Sequence, residues 1–260
     1  ATFFEYRGFE TYYTSEINYF IKNYPDVEFI VYTIDCERNC SIRYNKNVLW
    51  IQRKKFKNIN TIILFLKDMV KIFTKFKPNI IHSVYVIESI IMGIVGKIFR
   101  TPCIFHSRGM DFNYTPFISF KRNILARFAG KLSNIIITVS KSMKNDGIKL
   151  NISQKKIITI YDGVDLTNFN PIKKENYHPY RCFEILHIGR FSPEKCHDLI
   201  INTCKELKEK NVNYHLTLLG VGPLYEKIQY LVKELNLDNH ISFIGWVYHN
   251  KIQEYMNKAD

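Results

Sequence analysis

The sequence predicts an α/β protein made of two parallel-sheet domains. Three observations carry that reading. Short β-rich runs alternate with amphipathic helical periodicity from residue 27 to residue 161. The alternation stops in a turn-rich stretch over residues 162–180, which holds Asp162-Gly163, Asn168, Asn170, Pro171 and Pro179. It then resumes from Phe183 to Lys258. A helix between successive strands carries the chain back across the sheet, so the strands it joins run parallel. The boundary is placed inside the turn-rich stretch, giving domains 1–172 and 173–260.

The elements follow in order. An amphipathic helix succeeds Arg7-Gly8-Phe9-Glu10-Thr11. Val27–Ile34 is β-branched and aromatic and reads as a strand. Thr61–Phe76 places Ile62, Phe65, Leu66, Met69, Val70, Phe73 and Phe76 on one helical face, and Lys77-Pro78 ends it. Ile80–Val84 is a strand. Val86–Phe99 is apolar nearly all round, which predicts a buried helix. Pro102–Phe105 reads as a strand, Phe117–Leu132 as a helix and Ile135–Val139 as a strand. Ser140 is placed to N-cap the next helix, and Lys156–Tyr161 is one more strand. Beyond the turn-rich stretch come strand Phe183–Ile188, helix Glu194–Lys210, strand His215–Leu219, helix Pro223–Leu235, strand Ile241–Ile244 and helix Lys251–Lys258.

Composition narrows the function classes. The 260 residues are 46% hydrophobic and 23% charged, an ordinary globular balance that excludes disorder, collagen and coiled coil. The net charge is +13 and lies mostly in the first part: residues 1–172 carry 25 basic and 13 acidic side chains, residues 173–260 carry 12 and 11. That asymmetry points the first domain at something anionic. Six scattered cysteines form no Cys-x-x-Cys pair. Cys36 and Cys40 are the closest two, with no His cluster to complete a zinc site, so free thiols of a reducing compartment are expected. No run is long and apolar enough to span a bilayer, and there is no signal peptide. The chain lacks an initiator Met and stops after Lys258-Ala259-Asp260, which reads as a fragment with the second domain incomplete.

In parallel α/β sheets, ligands bind in the loops at the carboxyl ends of strands, and between two such domains the cleft is the default site. Four loops stand out. Gly189-Arg190-Phe191-Ser192-Pro193-Glu194-Lys195 follows a strand. Ser192 suits an N-cap and Pro193 a first helical position, whereas Arg190 and Lys195 oppose the helix dipole. The two cations are either solvated or hold a multiply charged anion beside free backbone N–H groups, with Gly189 admitting its approach. Gly220-Val221-Gly222 is either a nucleotide-approach turn or a plain tight turn; it lacks the third Gly and the acidic residue of a dinucleotide site. Arg108 and Asp111, around Gly109, either contact sugar hydroxyls or pair to shape their loop. Gly8 precedes a helix and either lets phosphate reach its N-terminus or turns the chain.

These segments together resemble one family. Ile185-Leu-His-Ile-Gly-Arg-Phe-Ser-Pro-Glu-Lys195 is similar to the second-domain signature of the large retaining GT-B glycosyltransferase family, family four, "glycosyl transferases group 1". Arg7-Gly8-Phe9-Glu10-Thr11-Tyr12 resembles its Gly-Gly-x-Glu opening, and Pro78-Asn79-Ile80-Ile81-His82 its Pro-Asp-Ile-Ile-His strand. Ile137-Thr138-Val139-Ser140 and Tyr161-Asp162-Gly163-Val164-Asp165, followed by Phe169-x-Pro171, are similar to its Thr-Val-Ser and Asn-Gly-Val-Asp…Phe-x-Pro segments. The order and spacing of five segments make the resemblance specific.

The resemblance implies a GT-B fold: two Rossmann-like domains facing a cleft. It implies transfer of a sugar from a nucleotide diphosphate donor to an acceptor hydroxyl, with anomeric retention and without a metal or other cofactor. The first domain would take the acceptor, a glycan or a lipid-linked sugar, and the second the donor. Arg190 and Lys195, with Gly189 and with Gly8 from the first domain, would hold the diphosphate, and Gly220 and Gly222 the nucleotide. Arg108 and Asp111 would be the catalytic pair near the transferred sugar, although Arg108 stands where the family often has His. Cys196 replaces a Gly, and Asp162 the Asn of Asn-Gly-Val-Asp. The family's Glu-x7-Glu motif would fall just after Asp260, which predicts a catalytically crippled fragment. Bacterial surface polysaccharide or glycolipid synthesis is the implied setting, in the cytoplasm or peripherally at the inner face of an anionic membrane. Lys54, Lys55, Lys57, Lys121 and Arg122 are the basic residues expected to cluster there. A sugar-nucleotide epimerase of the same architecture is the alternative enzyme. It needs cleft carboxylates that the sequence does not place. A nucleic-acid-binding module is the non-enzyme alternative, and Arg53–Lys57 is the only run with aromatics among its cations.

Overall fold

The computed structural model describes residues 8–34, 41–45, 48–53, 59–109, 112, 115–164, 166 and 182–260. The chain divides into two compact units, Ala1–Tyr161 and Asp162–Asp260. The division falls at the start of the turn-rich stretch.

The first unit begins with α1 (Gly8–Asn23), β1 (Phe29–Ile34), β2 (Ser41–Asn45), β3 (Val48–Arg53) and α2 (Ile59–Lys75). Its first sheet has the order β1-β3-β2, with β1 parallel and β2 antiparallel to β3. This corrects the expectation of parallel strands alone, which overlooked β2 and β3. Asn45 pairs with Val48 across a two-residue connection. A return that short can only be antiparallel.

The second sheet of this unit is fully parallel, in the order β4 (Ile81–Val84), β5 (Cys103–Ser107), β6 (Ile135–Thr138), β7 (Ile157–Thr159). Its helices are α3 (Val86–Phe99), α4 (Thr115–Ile118), α5 (Phe120–Leu132) and α6 (Lys141–Lys149). The helix read over Phe117–Leu132 is therefore two, broken at extended Ser119. Ser140 caps α6 as its residue type predicts, with the Met143 amide donating to its hydroxyl at 3.1 Å. Phe105, Phe112, Ala126, Ala129, Ile136, Met143 and Ile157 form the buried core of this sheet. A second cluster joins Ile51 of β3, Phe65 and Met69 of α2, Ile81 of β4 and Val95 of α3.

The helix α3 is not buried all round. Ser89, Gly93, Val95 and Gly96 are buried, while Ile87, Ile94 and Ile98 are exposed. The buried side is its small-residue side, because small residues let the sheet and α5 approach closely.

The second unit alternates β8 (Phe183–Ile188), α7 (His197–Glu209), β9 (Tyr214–Leu219), α8 (Tyr225–Glu234), β10 (Ile241–Gly245) and α9 (His249–Lys258). Its sheet is parallel, in the order β10-β9-β8. Ile201, Cys204, Tyr214, Leu216, Leu218, Ile228 and Val232 pack its core. The expected helix Glu194–Lys210 starts later. Pro193–Lys195 is a separate 3-10 turn, and Cys196 sits at φ 49 before α7 opens at His197. The left-handed residue breaks the helical path, in the position where a Gly carries no strain.

Candidate functional site

In the second unit, the loop after β8 and the loop after β9 are built on each other. The Gly189 amide donates to the Leu219 carbonyl at 2.9 Å, and the Phe191 amide to the Val221 carbonyl at 3.2 Å. The Leu224 amide donates back to the Phe191 carbonyl at 3.0 Å. These bonds lengthen the β8–β9 pairing past the strand ends. The two glycines make that approach fit. A Cβ on Gly220 would lie 2.0 Å from the Gly189 carbonyl oxygen, and one on Gly222 would lie 2.5 Å from the Phe191 carbonyl oxygen. The backbone that comes close to Gly220 and Gly222 is therefore that of residues 189–191 of the same chain. On that side of the two glycines the geometry is that of a close chain–chain turn.

The 189–195 loop presents its cations outward. Arg190 and Lys195 are exposed, and neither has an ion-pair partner among the described residues. Phe191, between them, is fully buried, stacked on His197 at 4.0 Å and edge-on to Tyr225 at 4.9 Å. Phe191 and the neighbouring Ser192, 5% exposed, thus anchor the loop between its two exposed cations. Ser192 does not cap the helix. Its hydroxyl donates to the Glu194 carboxylate at 2.6 Å. That bond is the main cause holding Glu194 below the usual carboxylate range; its own backbone amide, Lys195 and Arg190 add to it. Arg190 and Lys195 accordingly stand ahead of α7, across the turn, rather than in its first turn.

Sequence reasoning missed a histidine pair beneath this loop. His187 of β8 meets His197 of α7 edge-on, with ring centroids 4.6 Å apart. His197 is only 1% exposed, and both of its ring nitrogens lack a hydrogen-bond partner, as does Nδ1 of His187. Burial first, then neighbouring charge from Lys195, lowers His187 below its ordinary value. Burial likewise lowers His197, followed by His187. Both rings are neutral at pH 7. The only signal in the sequence was a His at each end of the loop.

In the first unit, β5 runs two residues further than expected, so His106 and Ser107 are buried strand residues rather than loop. His106 Nδ1 lies 3.1 Å from His82 Nε2 of β4, and the rings stack at 5.2 Å and 15°. Burial, then His82, then Arg108 lower His106 to about 3. His82 keeps an exposed edge. Loss of water around the rest of its ring, then Arg108, lowers it to about 4. Arg108 itself is half-buried just past the strand end, beside an unobstructed Gly109. Gly8 is the first residue of α1. Asp111, Lys54, Lys55, Lys57, Cys36 and Cys40 lie outside the described residues. At this carboxyl end the described residues form a cluster of His82, His106 and Arg108, while the Asp111 partner expected for Arg108 lies outside them. The two strand-end histidines were visible in sequence, but not their adjacency.

Comparison with known proteins decides the family. The pattern of Glycosyltransferase Family 4 matches residues 6–168, and that of Glycosyl transferases group 1 matches residues 168–260. The chain belongs to glycosyltransferase family 4. An uncharacterised glycosyltransferase of Methanocaldococcus jannaschii is 29% identical over 254 residues, covering 95% of this chain and 66% of the relative. The N-acetylgalactosamine-N,N'-diacetylbacillosaminyl-diphospho-undecaprenol 4-alpha-N-acetylgalactosaminyltransferase of Campylobacter jejuni is 28% identical over 155 residues, covering 56% of this chain and 41% of the relative. The chain thus spans from about two fifths to just under two thirds of these relatives' length. HepE of Anabaena, solved with UDP and glucose, superimposes with a TM-score of 0.62 at 17% identity, over 80% of this chain and 58% of that one. That likeness establishes the GT-B fold of this family 4 chain.

Proposed function

We propose that this family 4 chain serves a retaining glycosyltransferase. That enzyme moves a sugar from a nucleoside diphosphate donor to a hydroxyl of a glycan or lipid-linked acceptor, in the synthesis of a bacterial surface polysaccharide or glycolipid. The observation that carries the reading is the 189–195 loop. Two exposed cations without ion-pair partners among the described residues flank an anchored phenylalanine at the carboxyl end of β8, ahead of the N-terminus of α7. A departing diphosphate needs concentrated positive charge, and Arg190 and Lys195 supply it from side chains where other folds use a metal ion. A Cβ on Gly189 would lie 3.1 Å from His187 Cε1 and 3.5 Å from Lys195 Cγ, so the missing side chain lets the Lys195 stem pass close by, and Gly8 opens α1 in the first unit. His82, His106 and Arg108 offer neutral and cationic hydrogen-bonding groups for sugar hydroxyls. Retention and the acceptor class rest on the family resemblance. The UDP of HepE and the diphospho-undecaprenol in the Campylobacter enzyme's name support the donor and acceptor classes.

Calorimetric titration with UDP and with uridine tests the donor half on this chain. UDP should bind and uridine should bind far more weakly, because the diphosphate makes the charged contacts. Arg190→Ala and Lys195→Ala should each weaken UDP by about 10- to 150-fold, the loss of one charge-assisted hydrogen bond of roughly 1.5–3 kcal/mol. The double variant should lose less than the product, since both groups act on one anion. Unchanged UDP affinity in both single variants would overturn the assignment. Proton NMR of the anomeric centre in the reaction product tests retention.

A further inference from the structure

The amino end of the second sheet holds a cavity that the proposed function does not use. It has a volume of about 480 Å³ and lies where the chain enters β5, β6 and β7, beside the last turns of α3 and α5. Lys97, Arg100, Lys131 and Lys156 line it, and no acidic residue does. From residue 89 to residue 161 the chain has twelve Lys and Arg and only two acids, Asp111 and Asp146. Asp146 is taken by Lys149 at 2.9 Å. Among the described residues, the Lys97, Arg100 and Lys131 side chains make no hydrogen bond or ion pair. Small residues bring these cations together. A Cβ on Gly93 would lie 2.8 Å from Leu132 Cβ, and one on Gly96 would lie 2.6 Å from the Thr101 carbonyl oxygen. The end of α3 therefore closes on the end of α5 and on the entry to β5. Helix ends account for part of the charge. Each C-terminus carries about half a negative charge, so α3 and α5 offset about one of the four cations. About three positive charges remain around one cavity, a repulsion that a bound anion relieves. Two donors are already held in place. Lys156 Nζ donates to the Lys131 carbonyl at 3.2 Å and the Ser133 carbonyl at 2.8 Å, which leaves one of its three N–H groups. Asn134 Oδ1 accepts the Cys103 amide at 2.9 Å, and its NH2 group has no partner among the described residues. Donors fixed in advance lose little freedom when a ligand arrives.

We infer that this cavity binds a small soluble anion carrying two or more phosphate groups. Lys97, Arg100, Lys131 and Lys156 share its charge, and Asn134 donates to a phosphate oxygen. A single phosphate carries about −1.5 to −2 and leaves part of the positive charge unbalanced. The volume is that of a small-molecule site, about 300–1,000 Å³. The site is separate from the sugar-binding end. From Cys103 at the cavity to Ser107, β5 rises four steps of about 3.3 Å, or about 13 Å, and Arg108 stands beyond its far end. An anion at the amino end therefore does not reach Arg108 or take part in sugar transfer. Its effect is to tie α3, α5 and the entries of β5 and β6 to one another, which stabilises the first unit by mass action. The inference goes beyond the proposed function and does not rest on it.

Calorimetric titration of pyrophosphate at low salt tests it. Pyrophosphate also suits the Arg190 and Lys195 loop, so Arg190→Ala/Lys195→Ala is the background. That variant should still bind pyrophosphate. Adding Lys97→Gln/Arg100→Gly should weaken binding by about tenfold or more, through the loss of charge-assisted contacts. Both positions are exposed, and a glycine suits the φ of 55 at Arg100, so the fold is kept. Hydrogen exchange gives a second measurement that needs no change at the cavity. In the background variant, pyrophosphate should protect residues 97–103 and 131–134. No binding in the background variant, binding that Lys97→Gln/Arg100→Gly leaves intact, or protection confined to other segments would overturn the inference. Sedimentation with phosphatidylglycerol vesicles separates a soluble anion from a lipid headgroup. Vesicle binding that Lys97→Gln/Arg100→Gly abolishes, in a chain that does not bind pyrophosphate, would assign the charge to a headgroup and overturn it as well. Failure of UDP to bind counts against the donor site alone, because pyrophosphate binding is read with Arg190 and Lys195 already removed.

Discussion

Four glycine-to-alanine substitutions separate the forces that hold the cation loop. Gly163 has open space and an ordinary backbone, so Gly163→Ala should change stability by less than about 0.5 kcal/mol. Gly245 also has open space but sits at φ +80, so Gly245→Ala adds only backbone strain, about 1–2 kcal/mol. Gly222 has no such φ, yet its Cβ would meet the Phe191 carbonyl oxygen, amide nitrogen and carbonyl carbon at 2.5, 2.7 and 2.8 Å. Those contacts are short of ordinary van der Waals distance by about 0.6–0.9 Å. The 189–191 backbone cannot retreat that far without breaking Phe191 N–H to Val221 O or Leu224 N–H to Phe191 O, and without unstacking Phe191 from His197. Overpacking of about 1–3 kcal/mol and one lost hydrogen bond of about 1 kcal/mol give about 2–4 kcal/mol. Gly220 combines a 2.0 Å clash with φ +132, so Gly220→Ala should be the worst of the four. Hydrogen exchange of the β9 amides in each variant reads the second unit separately from the first. UDP affinity should fall in the same order for Gly222→Ala and Gly220→Ala, as the loop carrying Arg190 shifts. Protection in Gly222→Ala equal to that in Gly163→Ala would refute the claim that the two loops lock through these glycines.

Other outcomes follow from the first unit. His82 and His106 titrate near 6.5 when unfolded but near 4 and 3 when folded. Between about pH 3 and 6.5 the unfolded chain therefore binds more protons, so stability should rise with pH across that window and level off above it. The melting temperature of His82→Gln/His106→Gln should depend less steeply on pH over the same range; an unchanged slope would remove these histidines from the acid response. Ser140→Ala should cost about 1 kcal/mol, because the Met143 amide loses its acceptor, and Ser140→Asn should recover most of it in urea unfolding.

The sequence by itself determined the fold class and the order of nearly every element. Helix and strand periods differ, and that difference is local. Val86–Phe99 and Phe183–Ile188 were delimited to the residue because long apolar periodicity met clear breakers. The candidate loops were legible for the same reason: Gly189, Arg190 and Lys195 follow a strand that its own residues announce. The first limit was pairing. The hairpin of β2 and β3 is short and lies among cations, and what makes it sheet is the parallel contact of β3 with β1. The second limit was partners. What lies against Gly220 and Gly222 depends on what arrives there, and residues 189–191 arrive from about thirty positions away. The third limit was burial. His82 with His106, and His187 with His197, become neutral pairs only because strands or helices set them ring against ring with much of their surface shielded from water. Exposure is likewise tertiary: the period of α5 is visible in sequence, but that Phe120, Ile124 and Phe128 face outward follows from which side packs on α3 and the sheet. Local periodicity fixes what an element is, whereas neighbours distant in sequence fix what each of its faces touches.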